Sequence, residues 1–152
     1  MVSVYAEVMN VAREYRNASL VVPTFKFSVT DFVVGTTGHD PLNVRLARAP
    51  GLDWVDPNDG LDYLYGPTVL ADSGLLPTGE LYFDAVLPRG EASGDWSRID
   101  LIATVTESPE VLPNGDPLPA AGEQFLFAVF TRPLVYRAGI DRDEYRFIVR
   151  GG

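Results

Sequence analysis

The sequence predicts a mainly β protein: an antiparallel β-sandwich of about six or seven strands with an N-terminal α-helix and long Gly/Pro-rich loops. Three observations carry this expectation. Apolar residues alternate with others at period two in several runs from position 25 onward. Breaker-dense stretches, drawing on 14 Gly and 12 Pro, separate those runs. Beyond position 20 no apolar run keeps helical spacing for any length. With 152 residues, 46% of them hydrophobic, the chain can build one core. A single domain is expected over 1–152, with the helix over 1–17 and the sandwich over 20–150.

The helix is read from Val2, Tyr5, Val8, Met9, Ala12 and Tyr15, whose spacing of three and four gives one apolar face. Asn17 is the expected stop. The face can pack on the chain's own sheet or on another subunit. From Phe25 the period becomes two, and the three-residue step from Val29 to Phe32 calls for a bulge near Thr30-Asp31. Leu81, Phe83, Ala85 and Leu87 share one strand face. Ile99, Leu101, Ala103 and Val105 share another, and Tyr145, Phe147 and Val149 a third. Glu144, Arg146 and Arg150 give that last strand a wet or paired outer side. The run 124–130 is apolar on both faces, as in a central strand covered twice, by the helix or a neighbouring subunit on its second side. Pro23 and Pro133 suit strand starts or edges. The stretches 35–41, 50–79, 87–95 and 108–122 read as loops; Pro113 and Pro117 around Asn114-Gly115 favour a long loop over a tight hairpin.

Charge restricts the partners. The net charge is −9, spread as −4 over 1–76 and −5 over 77–152. Neither half offers a basic platform, so neither nucleic acid nor an anionic membrane has an electrostatic hold. No apolar run approaches the roughly 20 residues of a membrane-spanning helix, and the N-terminus lacks the pattern of a signal peptide. Without cysteine there are no disulfides and no thiolate metal sites. Eleven of the 12 cations are Arg, whose planar fork suits protein–protein contacts as well as a biased genome would explain it.

Reactive chemistry finds little to build on. His39 is the only histidine, and Ser73, Ser93, Ser97 and Ser108, the serines that follow it, all lie outside a G-x-S-x-G elbow. The acidic stretch Asp53–Asp62 is rich in oxygen ligands, but Gly60 falls one residue early for a calcium loop and no Glu closes it. No P-loop follows Gly35-Thr36-Thr37-Gly38. No catalytic residue, metal ligand or cofactor is therefore assigned.

The most specific segment is Val29-Thr30-x-Phe32-x-Val34-Gly35, running into Gly38-His39-Asp40-Pro41. It resembles the N-terminal attachment regions of bacteriophage tail fibres and of collar or baseplate fibres, where "I-T-x-F-x-V-G" leads into "G-x-G-G-H-D-P". Thr37 stands where that pattern has glycine. Looser matches follow in order: Leu81-Tyr82-Phe83, Gly90-Glu91-Ala92, Asp95 with Ile99-Asp100-Leu101-Ile102, Gly122 to Ala128, and Tyr145 to Val149. Asp100 replaces a glycine of the pattern. The physical reading of the motif is that Gly35 and Gly38 supply positive φ, Asp40-Pro41 steps out of the turn, and His39 pins the loop through backbone carbonyls and Asp40.

The resemblance implies a virion structural protein, made in the bacterial cytoplasm, that docks fibres to a tail, baseplate or collar. Its partners would be itself, as a trimer or higher ring, and other tail proteins. A fibre continues into a shaft, whereas this sequence stops at Gly151-Gly152, so a docking adaptor is expected. The candidate interface residues are Val2, Tyr5 and Met9 on the helix face, and Trp54, Tyr63 and Tyr65 in the loop-rich region. The alternative is a carbohydrate- or ligand-binding sandwich, with those aromatics as stacking platforms and calcium in the acidic loop.

Overall fold

A computed structural model describes residues 1–56 and 63–149. The protein is mainly β, with ten strands and one helix among the described residues. In chain order these are β1 (Val2–Val8), α1 (Asn10–Val21), β2 (Lys26–Gly35), β3 (His39–Asp40) and β4 (Asn43–Ala47). Then follow β5 (Tyr63–Val69), β6 (Asp72–Leu75), β7 (Leu81–Leu87), β8 (Gly94–Glu107), β9 (Gln124–Arg137) and β10 (Asp143–Val149). Eight strands form one sheet in the order β5-β2-β8-β9-β1-β10-β7-β6, while β3 and β4 pair separately. The sheet is mixed, because β1 runs parallel to β10.

Two expectations are corrected here. An N-terminal helix is present, but it begins at Asn10 and runs past Asn17 to Val21. Residues 2–8 are strand, because Val2, Val4, Ala6 and Val8 also alternate at period two. Two neighbouring strands then satisfy that segment's backbone, which decides between the two periodicities. The second correction concerns 50–79, which contains β5 and β6 despite its Gly and Pro. The other period-two runs form strands with the expected faces inward. Phe83, Ala85 and Leu87 of β7, Ile99, Leu101, Ala103 and Val105 of β8, and Phe147 and Val149 of β10 lie in the core. The expected bulge is at Thr30, which β8 skips between Val29–Ala103 and Asp31–Ile102. Pro133 falls in an irregular stretch of β9 between Thr131 and Val135, where a missing donor costs no regular ladder bond. The double coverage of β9 comes from within the chain, with α1 placing Tyr15 4.9 Å from Phe125 between ring centres.

The sheet curls until its ends are a single stretch of chain. Along β1, residues 2–6 pair with β10, and Glu7 and Val8 pair with β9. On the far side, β5 and β6 are the two ends of the strand order, yet only Leu70 and Ala71 separate them. The Leu70 N–H donates to Thr30 O of β2, and the next N–H, of Ala71, donates to Asp84 O of β7. The two halves of the sheet face one another between these seams. Rings from non-neighbouring strands meet there: Phe83 with Phe127 at 5.9 Å, Phe130 with Phe147 at 5.7 Å, and Trp96 with Tyr145 at 5.6 Å. The first and third are edge-to-face and the second tilted, and such ring pairs add about 1 kcal/mol each beyond their area.

Burial, with a smaller contribution from Asp143, raises the Tyr145 phenol above its ordinary value of 10.0. Tyr15 is raised by burial first and then by Glu14 and Glu123. An unfolded chain ionises these phenols near 10.0, before the native state does. Their contribution to stability should therefore be complete below pH 10 and be lost as pH rises through the elevated native values. Phenolate absorbance measured alongside thermal melting checks this; phenols that all titrate together near 10 in the folded protein would contradict it.

Candidate functional site

The site is built where the distinctive motif leaves β2. Gly35 is still strand, paired with Tyr63 and Arg98. Neither Gly35 nor Gly38 adopts positive φ, contrary to expectation. Gly38 is required for a different reason. A Cβ there would lie 1.9 Å from the Ser97 carbonyl oxygen, so the loop passes directly against β8. Ser97 is fully buried, and its Oγ accepts the Gly38 N–H at 2.9 Å and lies 2.9 Å from His39 Nδ1. His39 therefore pins the loop through Ser97, where Asp40 and backbone carbonyls were expected. Asp40 Oδ1 instead accepts the Leu42 N–H at 2.8 Å, closing the turn that Pro41 opens. Gly38→Ala should push the loop off β8 and lower the melting temperature by several degrees, at roughly 3 °C per kcal/mol for a domain of this size; an unchanged melt would remove the close-approach argument.

Beneath this loop lies an ion pair. Arg98 and Asp100 are both fully buried, two residues apart on one face of β8, with Arg98 Nε 2.6 Å from Asp100 Oδ1. Arg98 Nη1 donates to Thr37 Oγ1 at 3.1 Å. Thr37 and Asp100 thus both bind the same guanidinium. The Trp54 ring lies 4.3 Å from the Arg98 guanidinium carbon and 4.6 Å from that of Arg48, close enough for cation–π attraction. Trp54 also packs on buried Met9, Leu126 and Val129. Its indole lies so close over Gly51 that a Cβ there would fall 2.2 Å from Nε1. The Asn10 N–H donates to Leu52 O, and Asn10 Nδ2 donates to Asp53 Oδ1 at 2.7 Å, which ties this segment to the start of α1.

The six candidate interface residues do not form one surface. Met9 is wholly buried beneath Trp54, because it caps α1 against β9, and so it offers nothing to a partner. Trp54 serves that same internal cluster. Tyr65 is half-buried against Phe32, with ring centres 6.0 Å apart. Val2, Tyr5 and Tyr63 are exposed, but Val2 and Tyr5 lie on β1, four places from β5 in the strand order. Among the described residues no group of three or more His, Asp or Glu could hold a metal ion. Of the acidic stretch, 57–62 lies outside the described residues, as do Arg150 and the two terminal glycines.

The sequence reading passed over the hairpin that the motif carries. Its turn and second strand present Leu42, Val44 and Leu46 to solvent. The alternation Val44-Arg45-Leu46 was the available signal. Arg48 closes the hairpin at its base, its N–H donating to Gly38 O and its own carbonyl accepting from Thr131 Oγ1 at 2.7 Å.

No family model, curated protein or solved structure matches the chain.

Proposed function

We propose that this protein is a virion structural component, a docking module that attaches fibres to a phage tail, baseplate or collar. The observation that supports this most is what the motif builds. Gly38, Ser97, Arg98 and Asp100 form a buried footing with half-buried His39, and the hairpin they carry lies along β9 with Leu42, Val44 and Leu46 exposed. Ser97 Oγ is buried and already engaged by two partners, which suits anchoring. We read the two facing halves of the sheet as a small sandwich joined at its seams by β1 and by the β5–β6 stretch. Proteomics of purified particles from the source culture, with antibody labelling in electron microscopy, tests the function. The chain should be present in the particles and located at the tail; its absence from particles but presence in the lysate would end this reading.

A second reading, a ligand-binding module, draws on an open cavity of about 310 Å³ lined by Trp96, Arg132, Tyr136 and Tyr145 among others. Arg132 covers Trp96, its guanidinium carbon 5.1 Å from the ring centre, so the aromatic face that a sugar would stack on is taken. Binding of a glycan in calorimetry, lost in Tyr136→Ala, would favour this reading.

A further inference from the structure

Two open strand margins among the described residues carry opposite charge. β4 is hydrogen-bonded to β3 alone, and all five of its residues are exposed. Val44 and Leu46 are 49% and 53% accessible, and Leu42, at the turn before them, is 96% accessible. A strand with exposed alternate apolar residues and an unpaired margin is a template for another strand. β6, of four residues, ends the sheet order and pairs with β7 alone. It exposes Asp72 and Ser73, with Leu75 at 67%. The segment 41–50 around β4 carries Arg45 and Arg48 and no acid, whereas 71–80 around β6 carries Asp72 and Glu80 and no base.

From these features we infer that the hairpin strand β4 of one copy pairs with the β6 margin of a second copy. The strands are similar in length, five and four residues, one partner is basic and the other acidic, and each brings exposed leucine to the contact. Symmetric pairing of β4 with itself is disfavoured, because an antiparallel register centred on Asn43–Ala47 sets Arg45 directly opposite its own copy. The contact is therefore heterologous. Such a contact propagates from copy to copy and closes into a ring or continues as a filament according to the rotation it imposes. This deepens the docking reading by naming the first partner as another copy of the chain.

Sedimentation velocity on the purified protein tests it, using wild type, Arg45→Glu, Asp72→Arg and an equimolar mixture of the two variants. Wild type should assemble, and each variant alone should associate about tenfold more weakly or worse, since each sets like charges opposite. The mixture should recover assembly, because alternating copies restore a cation against an anion at every junction. Circular dichroism establishes that each variant is folded. Should Asp72→Arg unfold through loss of its 3.2 Å bond from the Tyr82 hydroxyl, Leu46→Asp replaces it and should show the same loss. A monomeric wild type at high concentration, or an oligomer indifferent to substitution on both strands, overturns the pairing. Neither result touches the virion reading, which stands or falls on the particles.

Discussion

Asp100→Ala should cost about 3–5 kcal/mol of folding stability, the expected penalty for leaving a buried charge without its counter-ion. Arg98 is fully buried, and the carboxylate 2.6 Å from its Nε is also fully buried. Alanine removes the anion but leaves the guanidinium enclosed by Trp54 and Thr37. The companion measurement is the double substitution Arg98→Met with Asp100→Leu. Because desolvating two charges offsets much of their attraction, the double variant should recover most of the lost stability and fall short of wild type by no more than about 1 kcal/mol. Urea denaturation reads both. A single variant that loses less than about 1 kcal/mol would show that the pair is not isolated from water as its burial implies. The double variant should also loosen the Gly35–Pro41 loop, because Thr37 loses its donor.

Arg137→Lys should be nearly as damaging as Arg137→Ala, although it keeps the charge. The Arg137 guanidinium is almost fully buried at the end of β9. Nε meets Asp143 at 2.7 Å, Nη1 donates to the carbonyls of Glu91 and Ala92, and Nη2 donates to those of Leu87, Pro88 and Asp141. One planar group thus holds the turn after β7 and the turn before β10 together. An ammonium has three donors on a single nitrogen and cannot reach this set of acceptors. The carbonyls it leaves unbonded each carry a desolvation cost, so the expected loss is about 2–4 kcal/mol for lysine and slightly more for alanine. Limited proteolysis should then find new cuts in 88–92 and 138–142. A lysine variant with an unchanged urea midpoint and no new cuts would show that the turns hold themselves.

Legibility in the sequence followed the periodicities. β7, β8 and β10 declared themselves because one face is apolar at every second residue, β9 because its run 124–130 is apolar on both faces, and Thr30 betrayed its bulge by shifting the phase of β2. β1 did not, because Val2, Tyr5, Val8 and Met9 fit a helix while Val2, Val4, Ala6 and Val8 fit a strand; only partners distant in the chain decide. β5 and β6 are short and interrupted by Gly66-Pro67 and Gly74, so local signals read as loop. At the site, the motif residues could be named but not their supports. Arg98 and Asp100 alternate with Ile99 and Leu101, which is how a solvent-facing strand side reads. Their burial depends on a loop and a tryptophan returning from 44 or more positions away to cover them. The hairpin's Val44 and Leu46 were legible as a strand, but not as exposed, because exposure is a property of what fails to pack on them.

The parallel pairing of β1 with β10 has a kinetic consequence. Val2 lies opposite Tyr145, so the first of the described strands is completed by the last of them. On a ribosome, residues 2–6 would wait through synthesis of the strands in between before their partner emerges, and loop closure over that span is among the slower steps open to a small domain. Until then one seam of the curled sheet stands open, with the aromatic interior reachable from that side. Holding the nascent segment apart from its neighbours on a polysome would then matter as much to yield as any contact in the finished fold.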